Sequence, residues 1–227
     1  MTSQPTFKQA PRIAGALYLA IAVCGGFSIG YVPQAIFVSG DSAQTAANLA
    51  ASAGLFKLGV AADSVVIIFE LVLTAILYVL FHKAAPILSA TAMLARAGMI
   101  TVMGMNLLFW VMPLALGTQG DVEQSRMMMF FTAHELGVYV WQLFFGLHLL
   151  ALGALILRTG LVPRALGWGL FVGAFGYLLQ GIVELTFIDI GPFYSVIIAL
   201  LVVVTIAELS FALWLLIWGG KRLGVQG

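Results

Sequence analysis

Asp63, Glu70, Arg96, His134, Glu135, His148, Glu184 and Glu208 all stand inside long apolar runs, and Asn106, Gln142 and Gln180 stand there with them. The tract TAHELGVYVWQLFFGLHLL, residues 132–150, sets His134, Glu135, Gln142 and His148 among Phe, Trp, Leu and Val. An ionisable side chain in hydrocarbon costs roughly 2.5–3.5 kcal/mol on insertion scales. Such groups must turn inward and find partners, or line a path. Carboxylates and imidazoles together are the parts from which proton relays and ion pathways are built.

Position along the chain sorts these groups by depth. Glu70 precedes the turn HKAAP by about as many residues as Arg96 follows it. At about 1.5 Å per residue the two reach the same level on antiparallel neighbours, which predicts a Glu70–Arg96 ion pair. His148 and Glu208 fall near that level and complete an inner group. Asp63 lies two turns from Glu70 on the same face. With His134, Glu135, Glu184 and Gln180 it forms an outer group that could surround a vestibule. As a set these residues exceed what stapling helices together requires, and the surplus favours a cavity. Asp63, Glu70, Arg96, His134, Glu135, Gln142, His148, Glu184 and Glu208 are therefore the candidates for ligand binding or proton relay.

Other chemistries fit less well. His134 and His148 are about 21 Å apart along one helix and cannot hold the same iron, which disfavours haem. His134, Glu135, Asp63 and Glu184 offer zinc-type ligands, yet HELGVYVWQ lacks the second histidine of the H-E-x-x-H motif, so a metal stays undecided. Ser210 follows Glu208 by two positions, a spacing that does not face a nucleophile toward a base. There is no phosphate loop or dinucleotide fingerprint, and no mid-span lysine for a Schiff base. The sequence names no catalytic residue and no cofactor, and it leans away from an enzyme.

The elements that must position these groups follow from composition. Of 227 residues 62% are hydrophobic and 8% charged, against about a quarter charged in a soluble domain. A bilayer is the natural solvent for such a chain. Segments near 13–36, 57–81, 86–116, 128–157, 165–187 and 193–218 are each long enough to cross roughly 30 Å of hydrocarbon. The expected fold is all-α, one six-helix membrane bundle filling residues 1–227. A net charge of +1 gives no basic signature for nucleic acid. Cys24 stands alone, which rules out an intrachain disulfide.

Lys8, Arg12, Lys83, Arg158, Arg164, Lys221 and Arg222 fall on one side of the six spans, with Lys57 and Arg126 opposite. The positive-inside bias puts both termini in the cytoplasm. HKAAP and RTGLVPR are short hairpins, with Pro86 and Pro163 at helix starts. The longer connection SGDSAQTAANLAASAGLF has Asp41 or Ser42 as a helix cap and predicts a short helix over about 41–53, lying on the interface or folded over the bundle mouth. Gly169, Gly173 and Gly176, and Gly25, Gly26 and Gly30, read as seams for close helix packing. PRIAG at 11–15 and PRALG at 163–167 both open a helix, a faint internal echo.

The stretches RIAGALYLAIAVCG, GDSAQTAANLAASAGLFKLGVAAD and FFGLHLLALGALILRTGLVPRALGWGLFVGAFGYLL resemble the bacterial family of uncharacterised multi-pass membrane proteins called domain of unknown function 4386. The resemblance implies an integral inner-membrane protein of all-helical fold, with Asp41, Asp63, His148, Arg158 and Pro163 where the family pattern is expected. It implies no activity. The leading expectation is binding or translocation of a small solute, lipid-like molecule or ion. A non-transport accessory or sensor protein is the alternative, and an intramembrane enzyme the third. Membrane lipid is the expected surrounding partner, and a homo-oligomer is left open.

Overall fold

The computed structural model of the protein describes residues 9–116 and 120–223, so Lys8 of the basic set lies outside them. Six helices are long and apolar enough to cross a membrane: α1 (Ala10–Ile36), α3 (Ala53–Phe81), α4 (Pro86–Leu116), α5 (Asp121–Thr159), α6 (Arg164–Thr186) and α7 (Gly191–Arg222). The short α2 (Ser42–Ala51) joins α1 to α3. The bundle is all-α, as composition requires, since only helices and closed barrels satisfy every backbone group in hydrocarbon. Large apolar side chains such as Ile68, Leu71, Leu94 and Ile206 face outward, as expected where lipid is the solvent.

Each spanning helix packs on its sequence neighbours, and α7 returns against α1 to close a ring. Phe81 and Pro86 bracket the α3–α4 turn. At the α5–α6 turn Gly160, at φ +65°, terminates α5. Glycine adopts that left-handed conformation without penalty.

The buried face of α3 runs Phe56, Gly59, Asp63, Val66, Glu70, Leu73, Leu77, Phe81. That of α4 runs Ser89, Ala92, Arg96, Met99, Met103, Asn106, Trp110. Both advance by three or four residues, so the helical period brings the charged groups onto the same inward stripe as the apolar core.

Asp41 caps α2, its Oδ1 accepting from Gln44 N at 2.8 Å. Helix α2 folds over the bundle: Thr45, Ala46 and Leu49 are buried, and Leu49 joins a cluster with Val32, Ile36, Phe56, Trp110, Met127 and Phe131.

The glycines divide in a way that spacing alone did not show. A Cβ at Gly173 would stand 2.7 Å from the backbone N of Val204, and one at Gly176 2.9 Å from that of Leu201. The α6–α7 seam therefore needs glycine. Gly25, Gly26 and Gly30 have open space where a Cβ would point, so the expectation of close packing there is corrected. Gly15 of PRIAG abuts Ala212 and Leu216 of α7, whereas Gly167 of PRALG abuts Ile156 and Leu157 of α5. The two motifs open helices with different packing partners, which gives the echo no common structural role.

Two stretches depart from α geometry. Gly26–Tyr31 within α1 and Leu215–Gly219 within α7 are π-helical. Pro33 supplies the reason in α1: it has no N–H to give the Ile29 carbonyl, and the wider turn re-pairs the ladder, with Val32 N donating to Phe27 O.

Candidate functional site

Arg96 is the hub of the interior. It is 1% exposed, and its Nε donates to Glu70 Oε2 at 2.6 Å. Among the described residues this is the one ion pair, and it joins α3 to α4 as depth matching predicted. Arg96 Nη1 donates to Tyr18 OH and to His148 Nε2, each at 2.9 Å. One guanidinium thus ties α1, α3, α4 and α5 together. Its carbon lies 4.9 Å from the Tyr18 ring centroid and 5.6 Å from that of Phe145, within range for cation–π attraction.

The partners of His148 fix its form. Nδ1 lies 2.8 Å from the Ala92 carbonyl, which can only accept, so Nδ1 carries the hydrogen. Nε2 then accepts from Arg96. His148 is the neutral Nδ1–H tautomer, assigned from its partners. Taking a second proton would set it against the guanidinium. Phe145 stacks parallel to it at 5.9 Å and meets Tyr177 edge-on at 5.2 Å.

Glu208 is held differently. Its Oε2 accepts one long hydrogen bond, 3.5 Å from Tyr177 OH. Arg96 and Glu70 are within electrostatic reach but not in contact. Glu208, Glu70 and Arg96 line a central cavity of about 280 Å³ to which all six spanning helices contribute, including Tyr18 from α1, Trp141 and Phe145 from α5 and Tyr177 from α6. The lining is mostly apolar and aromatic with a few convergent polar groups, the usual make-up of a small-molecule site.

The outer group separates. His134 and Glu135 line a second cavity of about 240 Å³ with Pro33, Phe37, Trp110, Phe131 and Tyr139. The His134 ring stacks on Trp110 at 4.4 Å, and its carbonyl accepts from Asn106 Nδ2 at 3.0 Å. Asp63 does not reach that space: it is buried with Oδ1 unpartnered and faces Ser28 of the π-helical stretch. Glu184 also lies elsewhere, accepting from Tyr194 OH at 2.6 Å, with Gln180 donating to the same hydroxyl at 3.0 Å. Gln142 is buried with Oε1 unpartnered. Ile29 is the residue the two cavities share. Among the described residues no three of His, Cys, Asp and Glu converge as metal ligands, and of the five residues expected around the vestibule only His134 and Glu135 line the cavity, Asp63, Glu184 and Gln180 being turned to other neighbours.

Tyr18 and Tyr177 join the site without being among the residues the sequence singles out. Depth was the available signal: Tyr18 lies about two helical turns past Pro11, inside the span rather than at its rim.

Residues 13–219 match the family model described as Domain of unknown function (DUF4386). The chain belongs to this family. The matched region contains every residue of the hub and of both cavities. An uncharacterised protein of Archaeoglobus fulgidus is 28% identical over 116 residues, covering 50% of this chain and 63% of that protein. The match thus covers less than two thirds of that relative's length. No solved structure matches the chain.

Proposed function

We propose that this multi-pass membrane protein binds a small lipid-soluble molecule in its central cavity, as a carrier or receptor in a bacterial cytoplasmic membrane with both termini inside. One observation carries the reading: a cavity of about 280 Å³ lies at the level of the charged hub and takes its lining from all six spans. Its wall of aromatic rings with a few convergent polar groups is the usual make-up of a small-molecule site. Glu70, Arg96 and His148 are bonded to one another, with Tyr18 OH and the Ala92 carbonyl completing the set, and this pairing favours the accessory reading for those residues. Glu208 and the aromatic wall favour a ligand.

Gly25 lines this cavity, and a Cβ there meets nothing within 4 Å. Gly25→Phe should therefore fill the cavity without disturbing the bundle. Purified protein in lipid nanodiscs is screened by thermal shift against neutral, anionic and cationic compounds of small to moderate size. A saturable rise in Tm for wild type, lost in Gly25→Phe at an unliganded Tm close to wild type, supports the proposal. If no compound class raises Tm, or Gly25→Phe binds as wild type does, the cavity is not a ligand site.

A further inference from the structure

We infer that the ligand is a lipid-soluble cation, entering from the bilayer between α1 and α7 and pairing with Glu208; this rests on the binding role proposed above. Three features of the cavity lead there.

The first is charge. With both carboxyls ionised, Glu70 and Glu208 share one guanidinium, a formal charge of −1 at the cavity wall with His148 neutral. Arg96 already donates to Glu70, Tyr18 and His148. Glu208 makes only the long contact with Tyr177. A carboxyl away from water with no cation in contact can stay neutral by holding a proton, and a ligand bearing a positive charge pairs with it in its ionised form.

The second is the wall. Trp141, Phe145, Tyr18 and Tyr177 surround the same space. Aromatic faces attract cations through the ring quadrupole, most strongly where water is excluded. An acid set among aromatic rings suits a substituted ammonium better than a neutral or anionic guest.

The third is the way in. The lining includes Ala22 and Gly26 on α1 and Thr205 and Leu209 on α7, all four exposed on the bundle exterior. Leu209 is 40% exposed and adjoins Glu208 in sequence. Helices α1 and α7 are tightly apposed nearer the termini, where Gly15 meets Ala212 and Leu216. Farther along, the π-helical stretch packs against α3 and leaves open space at Gly25, Gly26 and Gly30. The cavity mouth lies within the span and faces acyl chains. A ligand using it must partition into the bilayer first, so it carries an apolar body beside its charge.

The test uses wild-type protein in phosphatidylcholine nanodiscs, whose zwitterionic surface adds no net charge. The probes are hexyltrimethylammonium, its uncharged carbon isostere and hexylsulfonate, with binding read by thermal shift and tryptophan fluorescence. The cation should bind more tightly than the isostere and the sulfonate. Glu208→Gln should weaken cation binding roughly tenfold or more while leaving the isostere within about twofold. The charge preference of wild type alone decides the question should Glu208→Gln fold poorly. Equal binding of cation and isostere, both abolished by Gly25→Phe, overturns the cation assignment and leaves the binding role standing. A preference for the sulfonate does the same. If no probe binds and the broader screen is also negative, the binding role falls with it.

Discussion

Replacing Glu70 by Gln tests whether the Arg96 hub is held by charge or only by shape. The substitution keeps an oxygen acceptor for Arg96 Nε and removes the negative charge 2.6 Å away. Arg96 is 1% exposed and Glu70 4%, so little solvent takes the place of the lost partner. Breaking a buried pair by removing one member costs about 3–5 kcal/mol, because the survivor is left uncompensated. Arg96 retains Tyr18 and His148, which places the expected loss near the lower end, about 3 kcal/mol. For a chain of this size that is a fall in Tm of roughly 6–12 °C. Arg96→Met should cost less, since an orphaned carboxyl can take up a proton whereas a guanidinium cannot release one. The double variant, with no charge left at either position, should be more stable than Glu70→Gln alone. Thermal unfolding in mild detergent, with mixed-micelle denaturation for the free energies, measures all three. A Glu70→Gln protein within about 1 kcal/mol of wild type would refute the charge argument. So would a double variant less stable than the single one.

Gly137→Ala sets a methyl group against the Asn106 carboxamide oxygen, whose nitrogen holds the His134 carbonyl at 3.0 Å. A loss of about 1–3 kcal/mol is expected in the same unfolding assay, largely recovered by adding Asn106→Ala; wild-type stability would show that Asn106 does not tie α4 to α5. Sidedness is read with cysteines placed at two exposed turns, Ser39→Cys and Lys83→Cys, in a Cys24→Ser background. With the termini cytoplasmic, an impermeant maleimide added to intact cells labels the first and spares the second, and the reverse pattern inverts the topology.

Much of the frame was legible because it depends on one-dimensional quantities. Span length, charge scarcity and helical rise suffice to find six helices and to set Glu70 level with Arg96, and His148 and Glu208 close by. What failed depends on rotation about each helix axis, which an almost uniformly apolar sequence barely encodes. Asp63 and His134 were assigned to one vestibule by depth, yet Asp63 turns toward Ser28 while His134 stacks on Trp110. Glu184 went with them on the same reasoning and instead holds Tyr194. Tyr18 and Tyr177 were passed over because a tyrosine in a hydrophobic run reads as bulk, although its hydroxyl needs a partner once buried.

Gly25, Gly26 and Gly30 read in the sequence as a packing seam, since glycine spacing in a span usually marks one. Here Pro33 changes their meaning. By removing the donor that Ile29 would use, it makes regular α geometry incomplete one turn earlier, and the helix responds with the π-helical stretch Gly26–Tyr31. That stretch carries Ile29 to the boundary shared by both cavities, and Gly26 within it and Gly25 just before it stand on the wall of the larger one. Both glycines line that space and a Cβ at either meets nothing within 4 Å, so neither is there to permit a close helix contact. The tract GGFSIGYVP therefore belongs to the cavity as much as Glu208 does: one end of it keeps the wall open, and the other supplies the proline that shapes it.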